Sequence, residues 1–233
     1  MELFRRIFFA AVLAGAVAGL ALAVIQQWRI VPLITQAELY VSGHAHDAAQ
    51  EAVPDHADGE VSSEPWAPSE GGERIFYTVL ATTLVSMGFA LMLGAVAILS
   101  GIDINLKNGV IWGLGGFITF TIAPSFGLPP GLPGMDIADL GDRQIWWWGT
   151  AIVTGLSLLG MAKMRTPAAI ALGLGAILVP HIVGAPGVAE YFSQVPANLA
   201  SAFTISVITS SLVCWLITGV LLGWFIQRSE KGN

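Results

Sequence analysis

The chain has 233 residues, 55% of them apolar and only 11% charged, with a formal net charge of −6. A water-soluble domain of this size cannot hide so much apolar surface, so the composition excludes one and indicates an integral membrane protein. The lone cysteine, Cys214, excludes an intrachain disulfide and reads as a small buried apolar residue.

Taken in chain order, residues 7–25 carry no charge and are long enough to cross a hydrocarbon core as a helix. A rival reading makes this run a signal peptide cleaved near Ala21-Leu22-Ala23, but the run is long for that and is read as a retained anchor. Residues 26–74 are the long polar segment, read as an external loop without apolar periodicity over 42–72. Further spans are expected at 75–99, 109–123, 145–161, 167–183 and 199–226, the third ending early at Pro124. Between them, 124–144 reads PSFGLPPGLPGMDIADLGDRQ. It is too rich in proline for a helix and too apolar for a free linker, so it is expected to fold back as an ordered cap or re-entrant turn. Trp146, Trp147 and Trp148 follow and suit a membrane–water interface. The fold class is therefore an all-α integral membrane protein. It forms one domain over 1–233, a bundle of about six transmembrane helices with a long external loop and a Pro/Gly-rich external cap.

A weak internal repeat accompanies these spans. Pro65-x-x-Pro68 precedes Gly72-Glu73-Arg74, and Pro130-x-x-Pro133 precedes Gly141-Asp142-Arg143. Either spans two–three and four–five are related hairpins, or Gly/Pro-rich loops resemble one another by chance.

Lys and Arg collect in cytoplasmic loops. With the N-terminus inside, seven basic residues (Arg5, Arg6, Lys107, Lys163, Arg165, Arg228, Lys231) fall inside and three (Arg29, Arg74, Arg143) outside. Both termini are thus expected in the cytoplasm and 26–74 outside. Thirteen of the sixteen acids also fall outside, where they set the field a cation meets on approach.

Three of the four histidines lie in GHAHDAAQEAVPDH. In an extended segment His44 and His46 would share a face, with Asp47 and His56 as further donors for a borderline divalent ion. The spacing matches no defined site, so an ordinary solvated loop stands beside the metal reading. His181 follows Pro180 near the outer end of the fifth span; it either lines a polar pathway or hydrogen-bonds a neighbouring span. Glu38, Asp136, Asp139 and Asp142, beside Arg143, would make an acidic vestibule or a solubilising rim. No P-loop, hydrolase triad or zinc-protease motif occurs, and one intramembrane histidine cannot ligate a haem twice, so no enzyme is expected.

These residues carry a family likeness. VPLITQAELY (31–40), the histidine-bearing loop, GGER (71–74), WGLGGF (112–117), APSFGLPPGLPG (123–134), ADLGDRQIWWW (138–148) and PHIVGAP (180–186) together resemble CbtA, the predicted cobalt-transporter subunit family of bacteria. The resemblance implies an inner-membrane protein in cobalt uptake, tied to cobalamin supply. It also implies a small partner, CbtB, with one span and a histidine-bearing tail. Co²⁺ is then substrate, with Ni²⁺ or another divalent metal as alternatives, and no tightly bound cofactor or nucleic-acid partner is expected. Positions matching the family are Glu38, Arg74, Asp139, Arg143, Gln144 and His181; the ligand and vestibule roles come from the chemistry of the side chains. The other reading is a non-transporting scaffold or partner subunit of a larger complex.

Overall fold

The computed structural model describes residues 2–51, 66, 68–188 and 193–231, with side chains over 4–41, 66, 68–188 and 193–229. Helices carry the chain: α1 (Glu2–Ile25), α2 (Val31–Glu51), α3 (Gly72–Ser100), α4 (Gly109–Phe117), α5 (Ala123–Ser125), α6 (Leu140–Met164), α7 (Pro167–Val183) and α8 (Ala197–Lys231). Among the described residues, β pairing is confined to an isolated bridge between Met135 and Ser193.

Two π-helical turns, Gln26–Ile30 and Ile118–Ile122, join α1 to α2 and α4 to α5. Each is followed by one residue and then a proline, Pro32 and Pro124. A proline in a helix gives no N–H and its ring collides with the carbonyl four residues back. Widening the preceding turn relieves the collision: the Val31 N–H bonds to the Gln26 carbonyl, and the Ala123 N–H to the Ile118 carbonyl, each five residues back.

The first π-turn corrects the expected external loop. The backbone stays helical from Gln26 through Glu51, so about half of 26–74 is helix. The Ala, Leu, Gln and Glu content of TQAELY and AAQE favours this, and Pro32 is absorbed by the wider turn. Phe4–Val41 forms one apolar helix of 38 residues, about 57 Å long, so it outruns a core of roughly 30 Å.

Among the described residues, four helices are long and apolar enough to cross a membrane: Phe4–Val41, Gly72–Ser100, Leu140–Met164 and Ala197–Ser229. The apolar helices Gly109–Ser125 and Pro167–Val183 are shorter, about 26 Å each, the low end of a crossing length.

The packing order is α3–α1–α8–α4, with α6 joined to the second π-turn and α7 packed on α6. Because α4 packs on α8 and not on α3, while α6 and α7 pack on each other, the two hairpins of the suggested repeat are not equivalent. Small residues set the close contacts, as suits helices that gain no hydrophobic drive within lipid. A methyl group on Gly19 would stand 2.6 Å from the Thr83 Cα, and one on Gly113 would stand 2.5 Å from the Trp215 carbonyl oxygen. Gly219 and Gly223 of α8 meet the backbone of Gly109, Gly113 and Asn105 in the same way. The largest core, around Ala11, Ala14, Ala90, Leu93 and Leu222, lies where α1, α3 and α8 meet.

Helix ends sort into two groups. At the end bearing both termini, Lys163 Nζ donates to the Ser100 carbonyl at 3.0 Å. At the other, the proline-rich end, residues 126–139 lie on α2 and α8. Leu132 is buried with Ile30, Ala37, Val195, Leu199 and Phe203, and the Thr204 hydroxyl donates to the Pro130 carbonyl at 3.2 Å. Gly134, at φ +83°, fits against Val41, where a side chain would be strained and crowded.

Candidate functional site

The proline-rich end carries Glu38, Arg74, Asp136, Asp139, Arg143, Gln144 and His181. They do not form one cluster. Glu38 of α2 accepts from both guanidinium nitrogens of Arg74 of α3, at 2.7 and 3.4 Å, and Arg74 also lies 3.6 Å from Glu70. The Glu38 carboxylate is therefore offset by a cation and ties the projecting helix to the start of α3. Asp139 caps α6, accepting from the Gly141 and Asp142 backbone N–H groups at 2.8 and 3.3 Å. Asp136 and Asp142 are exposed.

His181 is half-buried, edge-on to Trp146 and Phe126 with ring centroids 5.8 and 6.1 Å away. The Trp146 indole donates to the Pro180 carbonyl at 3.2 Å, bracing the last turn of α7 against α6. The backbone at His44, His46 and Asp47 is helical rather than extended. Their side chains and the whole of His56 lie outside the described residues. Among the described residues no group of three or more His, Cys, Asp and Glu side chains is placed to hold a metal ion.

Two cavities adjoin within the bundle. The one at the proline-rich end, about 380 Å³, lies between Pro124, Pro130, Arg143, Gln144, Trp147 and Ser211. The second, about 370 Å³, is lined by Gln26, Thr82, Ser86, Cys214 and Thr218 among apolar neighbours. Gln26 belongs to the first π-turn, and the others fall near the middle of α3 and α8, where lipid offers no hydrogen bonds and polarity is costly. Thr82 donates to the Gln26 side-chain oxygen at 2.8 Å, and the Ser86 hydroxyl and Cys214 thiol lie 3.8 Å apart.

Both cavities share Phe120, Thr121 and Ser211. Phe120 belongs to the second π-turn and is stacked on Trp215 at 5.7 Å, with Phe89 and Trp147 at 5.3 and 6.0 Å. Trp147 thus faces inward, whereas Trp148 is half exposed. Sequence reasoning missed the second cavity entirely. Its hydroxyls lie within apolar runs, where bonding back to the preceding turn is the ordinary role, as Thr218 does to the Cys214 carbonyl at 2.8 Å. The available signal was the coincidence of several at one depth beside a proline-linked turn.

A family model described as "Probable cobalt transporter subunit (CbtA)" matches residues 4–227. No curated protein and no solved structure matches the chain. A match over nearly the full length, in an all-helical chain with four helices fit to cross a membrane, means that the chain belongs to the CbtA family of cobalt transporter subunits.

Proposed function

We propose that the chain is the membrane subunit that admits Co²⁺ inward across the bacterial inner membrane, supplying cobalt for cobalamin. The observation that carries this reading is the family match over residues 4–227. The charge bias supports cytoplasmic termini and an outward-facing proline-rich end. In this arrangement His44, His46, Asp47 and His56 collect the ion outside. Arg143, Gln144 and His181 border its way in, and the Glu38–Arg74 pair holds the projecting helix at the rim. Asp136 and Asp139 add negative field at that rim, Asp139 while also serving as a cap. No ATPase is required, because a divalent ion moving inward gains about 4.6 kcal/mol per 100 mV. The family's designation as a subunit supports a second membrane component, a CbtB-like protein with one span. Ni²⁺ remains chemically eligible, because nitrogen and oxygen donors alone bind it more tightly than Co²⁺.

Radiocobalt uptake into proteoliposomes holding this chain, CbtB, or both tests the reading. Uptake in the combined vesicles is expected, and none in any combination would overturn it in favour of a non-transporting scaffold. Replacing His44, His46 and His56 together with alanine is expected to slow uptake at scarce cobalt and spare it when cobalt is plentiful.

A further inference from the structure

We infer that the two cavities are successive compartments of one cation route and that the Phe120 ring is the partition between them. The inference deepens the transport reading and rests on it. Three observations converge on Phe120. It lines both cavities, together with Thr121 and Ser211. It sits in a π-turn, an irregularity that marks functional positions in helices more often than chance would allow. Pro124 can give no N–H to the carbonyls of Thr119 and Phe120, five and four residues earlier, so helical bonding is interrupted beside the partition.

The second cavity shows the same construction. Gln26, on its wall, belongs to the other π-turn, the one ahead of Pro32. Both departures from α-helical geometry therefore border one cavity, whose largely apolar walls carry polar side chains. Irregular backbone is tolerated at membrane depth where it lines such a space. The cavity's Gln26, Thr82, Ser86, Ser211 and Thr218 oxygens, with the Cys214 sulfur, can replace part of a cation's hydration shell. A cluster of Phe89, Phe120, Trp147 and Trp215, three of which line this cavity, resists water but offers π-faces to a cation. Phe120 is the member common to both sides, so its side-chain position decides whether the compartments connect.

Cys214, the chain's single cysteine, lines the second cavity and reports on access to it. The test applies a membrane-impermeant cationic methanethiosulfonate to the full chain in proteoliposomes, with CbtB present. The Cys214 thiolate attacks the reagent's sulfenyl sulfur, forms a disulfide and expels methanesulfinate. Phe120→Ala and the milder Phe120→Leu are expected to raise the labelling rate at least tenfold over wild type. Phe126→Ala, a change at a ring 80% exposed, is expected to leave it unchanged. Wild-type labelling rates in both folded Phe120 variants would overturn the partition. If the leucine variant also failed to fold, the wild-type chain would decide: reagent reaching Cys214 only while cobalt gradients drive uptake supports the partition, and equal labelling with and without a gradient overturns it. The two readings separate cleanly. Cobalt uptake with labelling indifferent to Phe120 overturns the partition alone. Faster labelling in the variants with no cobalt uptake in any assembly overturns the cobalt reading alone.

Discussion

Toward its C-terminal end α8 presents Gly219 and Gly223 to α4, and backbone meets backbone with no room for a methyl group. Further up the same helix, Ser211, Cys214 and Thr218 stand beside open volume. Both stretches are built from small residues, yet one closes space and the other keeps it. The difference lies in the partner. Glycines of α8 meet glycines of α4, so the helices approach until their backbones touch. The hydroxyl-bearing face meets the wider π-turn and the rings of Phe89 and Phe120, on which Trp215 of α8 packs.

The sharpest way to break this contrast is Gly219→Leu. Its first carbon alone would meet the Gly113 nitrogen at 2.6 Å. The change is expected to cost about 3 kcal/mol or more, seen as loss of a monodisperse peak in detergent and a lower unfolding midpoint. A leucine tolerated there would show that the seam is loose. At the proline-rich end, Asp139→Ala removes the cap of α6 and is expected to cost about 1 kcal/mol in the same assay. A double-mutant cycle on Glu38→Ala and Arg74→Ala should give a coupling of about 0.5–1 kcal/mol, weakened by salt, because both side chains are about one-third exposed. The smallest effect belongs to the open half of α8. Ser211→Ala is expected to shift stability by under about 0.5 kcal/mol while changing cobalt uptake. A large stability loss there would mean that this stretch, too, is structural.

The helical membrane class was legible because charge-free runs and a high apolar content leave few other folds. A break between the spans at 145–161 and 167–183 was expected, and there Thr166 caps α7, accepting from the Ala169 N–H at 3.2 Å, and Pro167 opens the helix. The helix through 26–51 was hidden by Pro32, which reads as a breaker unless the preceding turn widens, and nothing in local composition announces that widening. Glu38 and Arg74 could be singled out as polar residues near span ends. Their pairing across 36 positions could not, since it depends on how far α2 rises beside the start of α3. The second cavity escaped for a related reason: its polar atoms come from both π-turns, α3 and α8 and converge only in space.

The continuous helix from α1 into α2 has a mechanical consequence. Its lower half is pinned on α3 where Gly15 and Gly19 meet Met87 and Thr83, and the π-turn at Gln26–Ile30 is its natural fulcrum. Val41 stands about 22 Å beyond that fulcrum, so a tilt of roughly 5° would carry it about 2 Å. Because Val41 bears directly on Gly134, such a tilt would be passed to the proline-rich segment, whose Pro124, Leu128 and Pro130 line a cavity.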